Sequence, residues 1–265
     1  MSTPDAATRF AGFADHYDRT RPTPPPELPD VLTHWAGVAR PAVVDLGAGT
    51  GLSALPWSGR ATRVIAVEPA AGMRAIAERR FAALPDAAAF SLVDATAEDT
   101  GLPTASADIV TAGQALHWFD PERALPEAAR LLRPGGVFAA FDCDWPPCVD
   151  AETDTAYAAF DATYRELELR RGLRPPHAAK AGHLARMRDS GLFRHTVEIA
   201  LHRRDEGDAE RLLGLALGQS GVVALLAAGA TEEEIGLTRL REVAARRLAG
   251  PRPWWWTYRI RLGVR

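Results

Sequence analysis

The sequence predicts an α/β fold: a doubly wound, mostly parallel sheet with helices on both faces, a C-terminal antiparallel strand and a helical cap. Three observations carry this. Between residues 41 and 142, short β-type runs alternate with helix-type segments, the pattern of successive β-α-β units. The first run, Ala42–Leu46, ends in glycines at alternate positions, Gly47, Gly49 and Gly51. The last, Trp254–Leu262, places Trp254, Trp256, Tyr258, Ile260 and Leu262 on one face, as a strand with one buried side requires.

The elements follow in order. Residues 3–40 read as helical on either side of a break at Arg21-Pro22-Thr23-Pro24-Pro25-Pro26. After the break, Leu28, Val31, Leu32 and Trp35 share one helical face. Strands are expected near 42–46, 63–67, 89–93, 107–112 and 137–142. Pro56 falls early in the helix expected after the first strand and, unless it lies in the first turn, should shorten or kink it. The helix after Glu68 has Pro69 at a favourable first position. Another starts at Asp120-Pro121-Glu122, with a capping side chain and an acid in its first turn, and stops at Arg133-Pro134-Gly135-Gly136.

Beyond 145 the pattern changes. Tyr157, Phe160, Tyr164 and Leu167 line a helix, and a short helix ends near Ser190-Gly191. A strand near Phe193–Leu201, two apolar helical pieces (208–218 and 221–228) and a helix opened by a Thr231/Glu234 capping box come next. The expected organisation is therefore N-terminal helices, 1–40, closing over the ligand site; a core of 41–144, 191–202 and 231–265; and a substrate cap of 145–190 and 203–230.

Composition narrows the class. A chain of 265 residues buries roughly three quarters of its unfolded surface and needs no disulfide staples. A net charge of −3 argues against nucleic acid as a partner, because phosphate neutralisation needs a basic face. Lys180 is the only lysine. The N-terminus lacks a signal-peptide pattern and no apolar run reaches membrane-spanning length. Cys143 and Cys148 are too few for a disulfide framework or a metal site and read as reduced thiols. The expectation is a cytoplasmic protein with no metal, membrane or nucleic-acid partner; nothing in the pattern specifies an oligomeric state.

The chemistry should sit at the carboxyl ends of the strands, where open α/β sheets bind ligands. Five loops gather there: Gly47–Gly51, Glu68, Ala95–Glu98, Gln114–Asp120 and Asp142–Trp145. The glycines let the backbone turn tightly and approach a ligand, and an acid at the tip of the second strand is placed to accept from ribose hydroxyls. A dinucleotide site would carry G-x-G-x-x-G; here the spacing is G-x-G-x-G, and Asp45 before the turn suits a ligand bearing positive charge.

Together Asp15-His16-Tyr17-Asp18-Arg19-Thr20-Arg21-Pro22, the glycine turn, Val67-Glu68-Pro69 with Met73, Thr96-Ala97-Glu98, Gln114–Asp120 and Leu132–Gly136 resemble the class I S-adenosylmethionine-dependent methyltransferases. Within that class they are similar to the small-molecule enzymes related to ubiquinone-biosynthesis and trans-aconitate methyltransferases. The likeness covers about residues 10–145 and only loosely the cap. It implies a Rossmann-like sheet, S-adenosylmethionine as cofactor, S-adenosylhomocysteine as product and a small-molecule acceptor.

The resemblance also implies roles. Gly47, Ala48, Gly49 and Gly51 would hold the methionine part, with Asp45 beneath its ammonium; Glu68 would take the ribose hydroxyls. Pro69 and Met73 would pack on the adenine, while Thr96 and Ala97 meet its edge and Gln114 joins the cofactor set. Many relatives carry Asp where Thr96 stands. Tyr17 and Arg21 would close over the amino-acid end.

Trp118, Phe119 and Trp145 could wall the acceptor pocket, and His117 is the candidate general base, needed for a hydroxyl or amine acceptor but not for a carboxylate. Its competing reading is a histidine satisfied by backbone. O-methylation of an organic acid or hydroxylated metabolite leads; N- or C-methylation, a non-catalytic S-adenosylmethionine-binding protein and a nucleotide-dependent oxidoreductase are the alternatives.

Overall fold

Strand β1 (Ala42–Leu46) is buried along its whole length, because helices cover both sides of the sheet it centres. The structure, a computed structural model, describes residues 21–173 and 179–265. Among them, β1, β2 (Arg63–Val67), β3 (Phe90–Val93), β4 (Ala107–Gly113), β5 (Leu132–Cys143), β6 (His195–Gly207) and β7 (Arg252–Val264) form one sheet. Its order is β3-β2-β1-β4-β5-β7-β6. Strands β1 to β5 run parallel; β7 is antiparallel to β5 and to the edge strand β6. Strand order reverses between β1 and β4, which places the expected binding crevice above that pair.

The two faces carry separate cores. On one lie Val43, Ile109 and Phe141, with Trp254, Trp256 and Tyr258 of β7. Helices α1 (Leu28–Ala36), α2 (Ala71–Ala82) and α4 (Ala151–Arg170) add buried side chains there. On the other lie Val44, Leu46, Val110 and Phe138, under α3 (Pro121–Leu131) and Met187 of α5 (His183–Asp189). Successive residues of one strand thus face opposite cores, as the pleat dictates. Helices α6 (Ala209–Leu217), α7 (Ser220–Ala227) and α8 (Leu237–Arg247) pack with α4 over the β6–β7 end of the first face. No single helix among the described residues is long and apolar enough to cross a membrane.

Local differences from the expected elements have local causes. The helix after β1 does not form: the chain makes turns and one 3₁₀ turn, Leu55–Trp57. Pro56 has no N–H to give such a helix, and the Ser53 hydroxyl is drawn to Asp45, at 2.5 Å. The Thr231/Glu234 box closes, Glu234 N donating to Thr231 Oγ1 at 3.2 Å, but Gly236 takes φ 77° and α8 starts only after it. Strand β6 runs to Gly207, six residues past the expected end at Leu201, because His202 to Gly207 find partners in Arg252 to Thr257.

Candidate functional site

The turn after β1 is built on left-handed glycines: φ is 64° at Gly47, 57° at Gly49 and 84° at Gly51. Their tasks differ. A Cβ on Gly51 would lie 2.8 Å from the Phe81 ring, so this residue serves packing against α2. A Cβ on Gly49 would meet nothing within 4 Å, because that position opens into a cavity.

Glu68, at the end of β2, faces the same space. Its Oε2 accepts from Gly49 N and its Oε1 from Ala70 N, both at 2.9 Å. Burial raises its pKa above the ordinary carboxylate range, against these two bonds, which favour the charged form. Each oxygen keeps a second lone pair for a ligand hydroxyl.

The cavity has a volume of about 290 Å³ and sits at the carboxyl ends of β1, β2 and β4. Of the residues singled out in the sequence, Gly47, Ala48, Gly49, Glu68, Pro69 and Met73 line one part of it. Thr96, Ala97, Gln114, Trp118 and Arg21 line the rest. Arg21 lays its guanidinium over the Trp145 ring, 4.7 Å from the centroid, and Nη2 donates to Gly218 O at 3.4 Å. Gln114 adopts φ 53°, an unusual value for a residue with a side chain, and its Nε2 contacts Cys143 Sγ at 3.0 Å. Tyr17 lies outside the described residues.

Four expected site residues are not on the cavity wall. Gly51 packs on Phe81, as described. Asp45 is fully buried, accepts from Ser53 Oγ at 2.5 Å and Thr111 Oγ1 at 2.6 Å, and has its pKa pushed up to about 6, chiefly by burial. It braces the turn from beneath. Trp145 stands behind Arg21 and donates from Nε1 to Tyr157 Oη at 2.8 Å.

His117 is turned away from the cavity, with Nδ1 3.7 Å from Asp142 Oδ1. A polar cluster lies on that side. Asp142, at the end of β5, meets Arg261 Nη1 and Lys180 Nζ at 3.0 Å each and His183 Nε2 at 4.0 Å. Burial pushes the His183 pKa down to about 4, so this second histidine is neutral near pH 7.

Sequence reasoning passed over Ser53, Pro22, Pro24 and Phe141 as lining residues and gave no ligand role to Glu98, which lines the cavity too. It also missed Tyr258, which reaches the cavity from β7. The alternation along 254–262 had already put Tyr258 on the inward face. What it lacked was the pairing of β7 with β5, which carries that face to the crevice.

Residues 44–140 match the model of the methyltransferase domain family. That stretch is similar to a methyltransferase domain. The domain spans β1, β2, β3, β4 and most of β5, and so holds the glycine turn, Glu68 and the loop after β4.

An uncharacterized methyltransferase of Mycobacterium tuberculosis is 43% identical over 132 residues, 50% of this chain and 51% of that one. A Saccharomyces cerevisiae protein named as a probable S-adenosylmethionine-dependent methyltransferase is 29% identical over 136 residues, 51% of this chain and 47% of that one. The chain therefore spans about half the length of the curated relatives it matches. A solved structure of a candidate type II methyltransferase from Anaeromyxobacter dehalogenans superposes with a TM-score of 0.69 at 29% identity. That likeness covers 92% of this chain and 97% of the other, so it extends past the domain into β6, β7 and the surrounding helices.

Proposed function

We propose that this chain transfers a methyl group from S-adenosylmethionine to a small-molecule acceptor, with O-methylation of an organic acid or hydroxylated metabolite as the leading reaction. The observation that carries the reading is the cradle formed by Gly49 and Glu68. Open space stands over the Gly49 Cα, and a buried carboxylate is fixed by two backbone N–H groups beside it. That donor set fits a ribose with two free hydroxyls and a methionine chain running along the turn.

In this reading Glu68 holds the ribose and Gly47, Ala48 and Gly49 admit the amino-acid chain. Pro69, Met73 and Ala97 flank the adenine, with Thr96 at its edge. Arg21 lies at the amino-acid end. When bound, the cofactor supplies a methyl group already activated on a sulfonium. The protein's part is alignment, which is worth about 7–11 kcal/mol of barrier when the reacting atoms are held in line. Trp118, Phe119, Phe141 and Tyr258 wall the cavity with aromatic surface, which excludes water and suits a neighbouring cationic centre. His117 enters this scheme through its contact with Asp142 rather than as a base at the acceptor. A carboxylate acceptor, which needs no base, is the class most consistent with that arrangement.

The domain organisation proposed with it keeps residues 1–40 as the closing segment, the sheet with its flanking helices as the cofactor-binding core, and α4 to α7 as the acceptor cap. The test is calorimetric titration with S-adenosylhomocysteine on the wild type and on Glu68→Ala. Micromolar binding that collapses in the variant is expected. Absence of binding to the folded wild type would end the reading; once binding is shown, a screen of organic acids and phenols with radiolabelled donor decides the acceptor.

A further inference from the structure

Residues 22–25 cross the cavity as a strap with unusually few ways to be held. Three of the four are proline, so the segment has only one backbone N–H to offer and cannot join a sheet. Its carbonyls are its handles, and distant residues take them. Tyr258 Oη lies 3.2 Å from Pro22 O and 3.0 Å from Thr23 O, positioned to donate to either. Arg203 Nη1 donates to Pro24 O at 3.0 Å. The last carbonyl, Pro25 O, accepts from Leu28 N at 3.0 Å and starts α1. Pro22 and Pro24 themselves line the cavity.

The two anchors come from neighbouring strands, β6 and β7, on the far side of the sequence. Tyr258 is 1% exposed, so its hydroxyl must find a partner inside the protein, and the strap carbonyls are what it meets. Burial also raises its pKa, which keeps the phenol protonated as a donor. Proline fixes the strap's φ angles in advance, so little conformational entropy opposes holding it in one place or releasing it as a unit.

We propose that Tyr258 and Arg203 are positioning residues that clamp residues 22–25 over the donor site, and that release of this strap governs exchange of the bound nucleoside. The inference rests on the methyl-donor reading above. It adds a division of labour: residues on β1 and β2 recognise the ligand, while the antiparallel β6–β7 pair holds the wall that retains it.

The experiment compares wild type, Tyr258→Phe, Arg203→Gln and the double variant. Two quantities are read: hydrogen exchange at the Thr23 and Glu27 amides without ligand, and stopped-flow release of S-adenosylhomocysteine. Tyr258→Phe keeps the buried ring and removes only the hydroxyl; should it not fold, Arg203→Gln reads the same strap from the second anchor. Each single variant is expected to speed exchange at the strap and release by about 2–10-fold, the range set by one net hydrogen bond. In Arg203→Gln, whose side chain does not line the cavity, the donor KM should rise while kcat is retained.

Unchanged exchange and release in the double variant would overturn the proposal. So would a lowered melting temperature with unchanged release, the signature of a purely structural tie. Faster strap exchange in variants of a wild type that takes up no S-adenosylhomocysteine would refute the donor reading itself and leave the clamp without a ligand to retain.

Discussion

Gly49 donates its backbone N–H to the Glu68 carboxylate at 2.9 Å, which locks the turn after β1 to the turn after β2. The acid expected to read a ribose is therefore also a structural tie between the two loops that form the crevice. Its second oxygen is held by Ala70 N, so the carboxylate cannot rotate without breaking one of the two bonds. A ligand hydroxyl arriving there meets an acceptor already oriented, and orientation fixed before binding is affinity retained.

Glu68→Gln should accordingly cost more than one ligand contact. The amide NH2 replaces an oxygen that faces a backbone N–H, so a donor meets a donor at Gly49 or Ala70. Hydrogen bonds to a charged group are worth about 1.5–3 kcal/mol, which corresponds to a loss of roughly 10- to 100-fold in S-adenosylhomocysteine affinity. Calorimetric titration checks it; an affinity equal to wild type would remove the charge from the recognition argument.

Alanine at Gly49 and at Gly51 should separate binding from folding. Both glycines have positive φ, which costs an L-residue about 1–2 kcal/mol. At Gly51 the new methyl also collides with Phe81, so Gly51→Ala should lower the melting temperature further and leave binding intact in the folded fraction. At Gly49 it projects into the cavity, so Gly49→Ala should be milder in melting and severe in binding. Thermal unfolding and titration on the same samples decide this, and equal binding loss at both positions would contradict it.

The contrast shows what the sequence could and could not disclose. The glycine spacing, the acid at Glu68 and the alternation of strand and helix are local patterns, and they placed the sheet and most of the cavity wall. The setting of His117 is not local. It brings in Asp142, Lys180 and Arg261, which β7 delivers from the other end of the chain. Asp45 is a similar case: its neighbours Ser53 and Thr111 are polar side chains whose convergence needs β1 and β4 to be adjacent. The missing helix after β1 was half legible, since Pro56 was visible but the pull of Asp45 on Ser53 was not.

Stability should carry two opposing pH-dependent contributions that mutation can separate. Asp45 holds its proton more tightly in the fold, with its pKa raised from 3.8 to about 6. The folded state therefore binds more protons between about pH 4 and 6, and rising pH removes stability across that window. The full span is worth about 3 kcal/mol at most. Asp45→Asn should gain on wild type as pH goes from 4 to 7.

His183 has the reverse sign. Its pKa is lowered from 6.5 to about 4, so the unfolded chain binds the proton first and stability falls as pH drops from 6.5 toward 4. His183→Gln should lose ground to wild type as pH rises through that range. Urea denaturation at several pH values reads both; parallel curves for wild type and either variant would refute the corresponding assignment.

His117 gives the sharpest test of the site's boundary. The residue is 7% exposed, its ring packs 5.1 Å from the Trp118 ring and approaches Asp142, while Ala115, Trp118 and Phe119 nearby line the cavity. His117→Phe keeps a flat ring beside Trp118 and removes the polar contact to Asp142, which still meets Lys180 and Arg261. The variant should melt at a lower temperature, bind S-adenosylhomocysteine as wild type does and retain turnover once an acceptor is in hand.

Asp142→Asn is the companion. It removes the charge that faces Lys180 and the buried Arg261; Arg261 keeps Glu198 Oε2 at 2.8 Å, so the cost falls below the figure of about 3–5 kcal/mol for a buried charge left wholly unpaired. A direct base role for His117 requires the opposite pattern: turnover lost in His117→Phe at unchanged melting temperature, with the loss greatest for hydroxyl acceptors and smallest for carboxylates. Turnover, titration and thermal unfolding on these two variants therefore distinguish a histidine that completes the Asp142 cluster from one that moves the acceptor's proton.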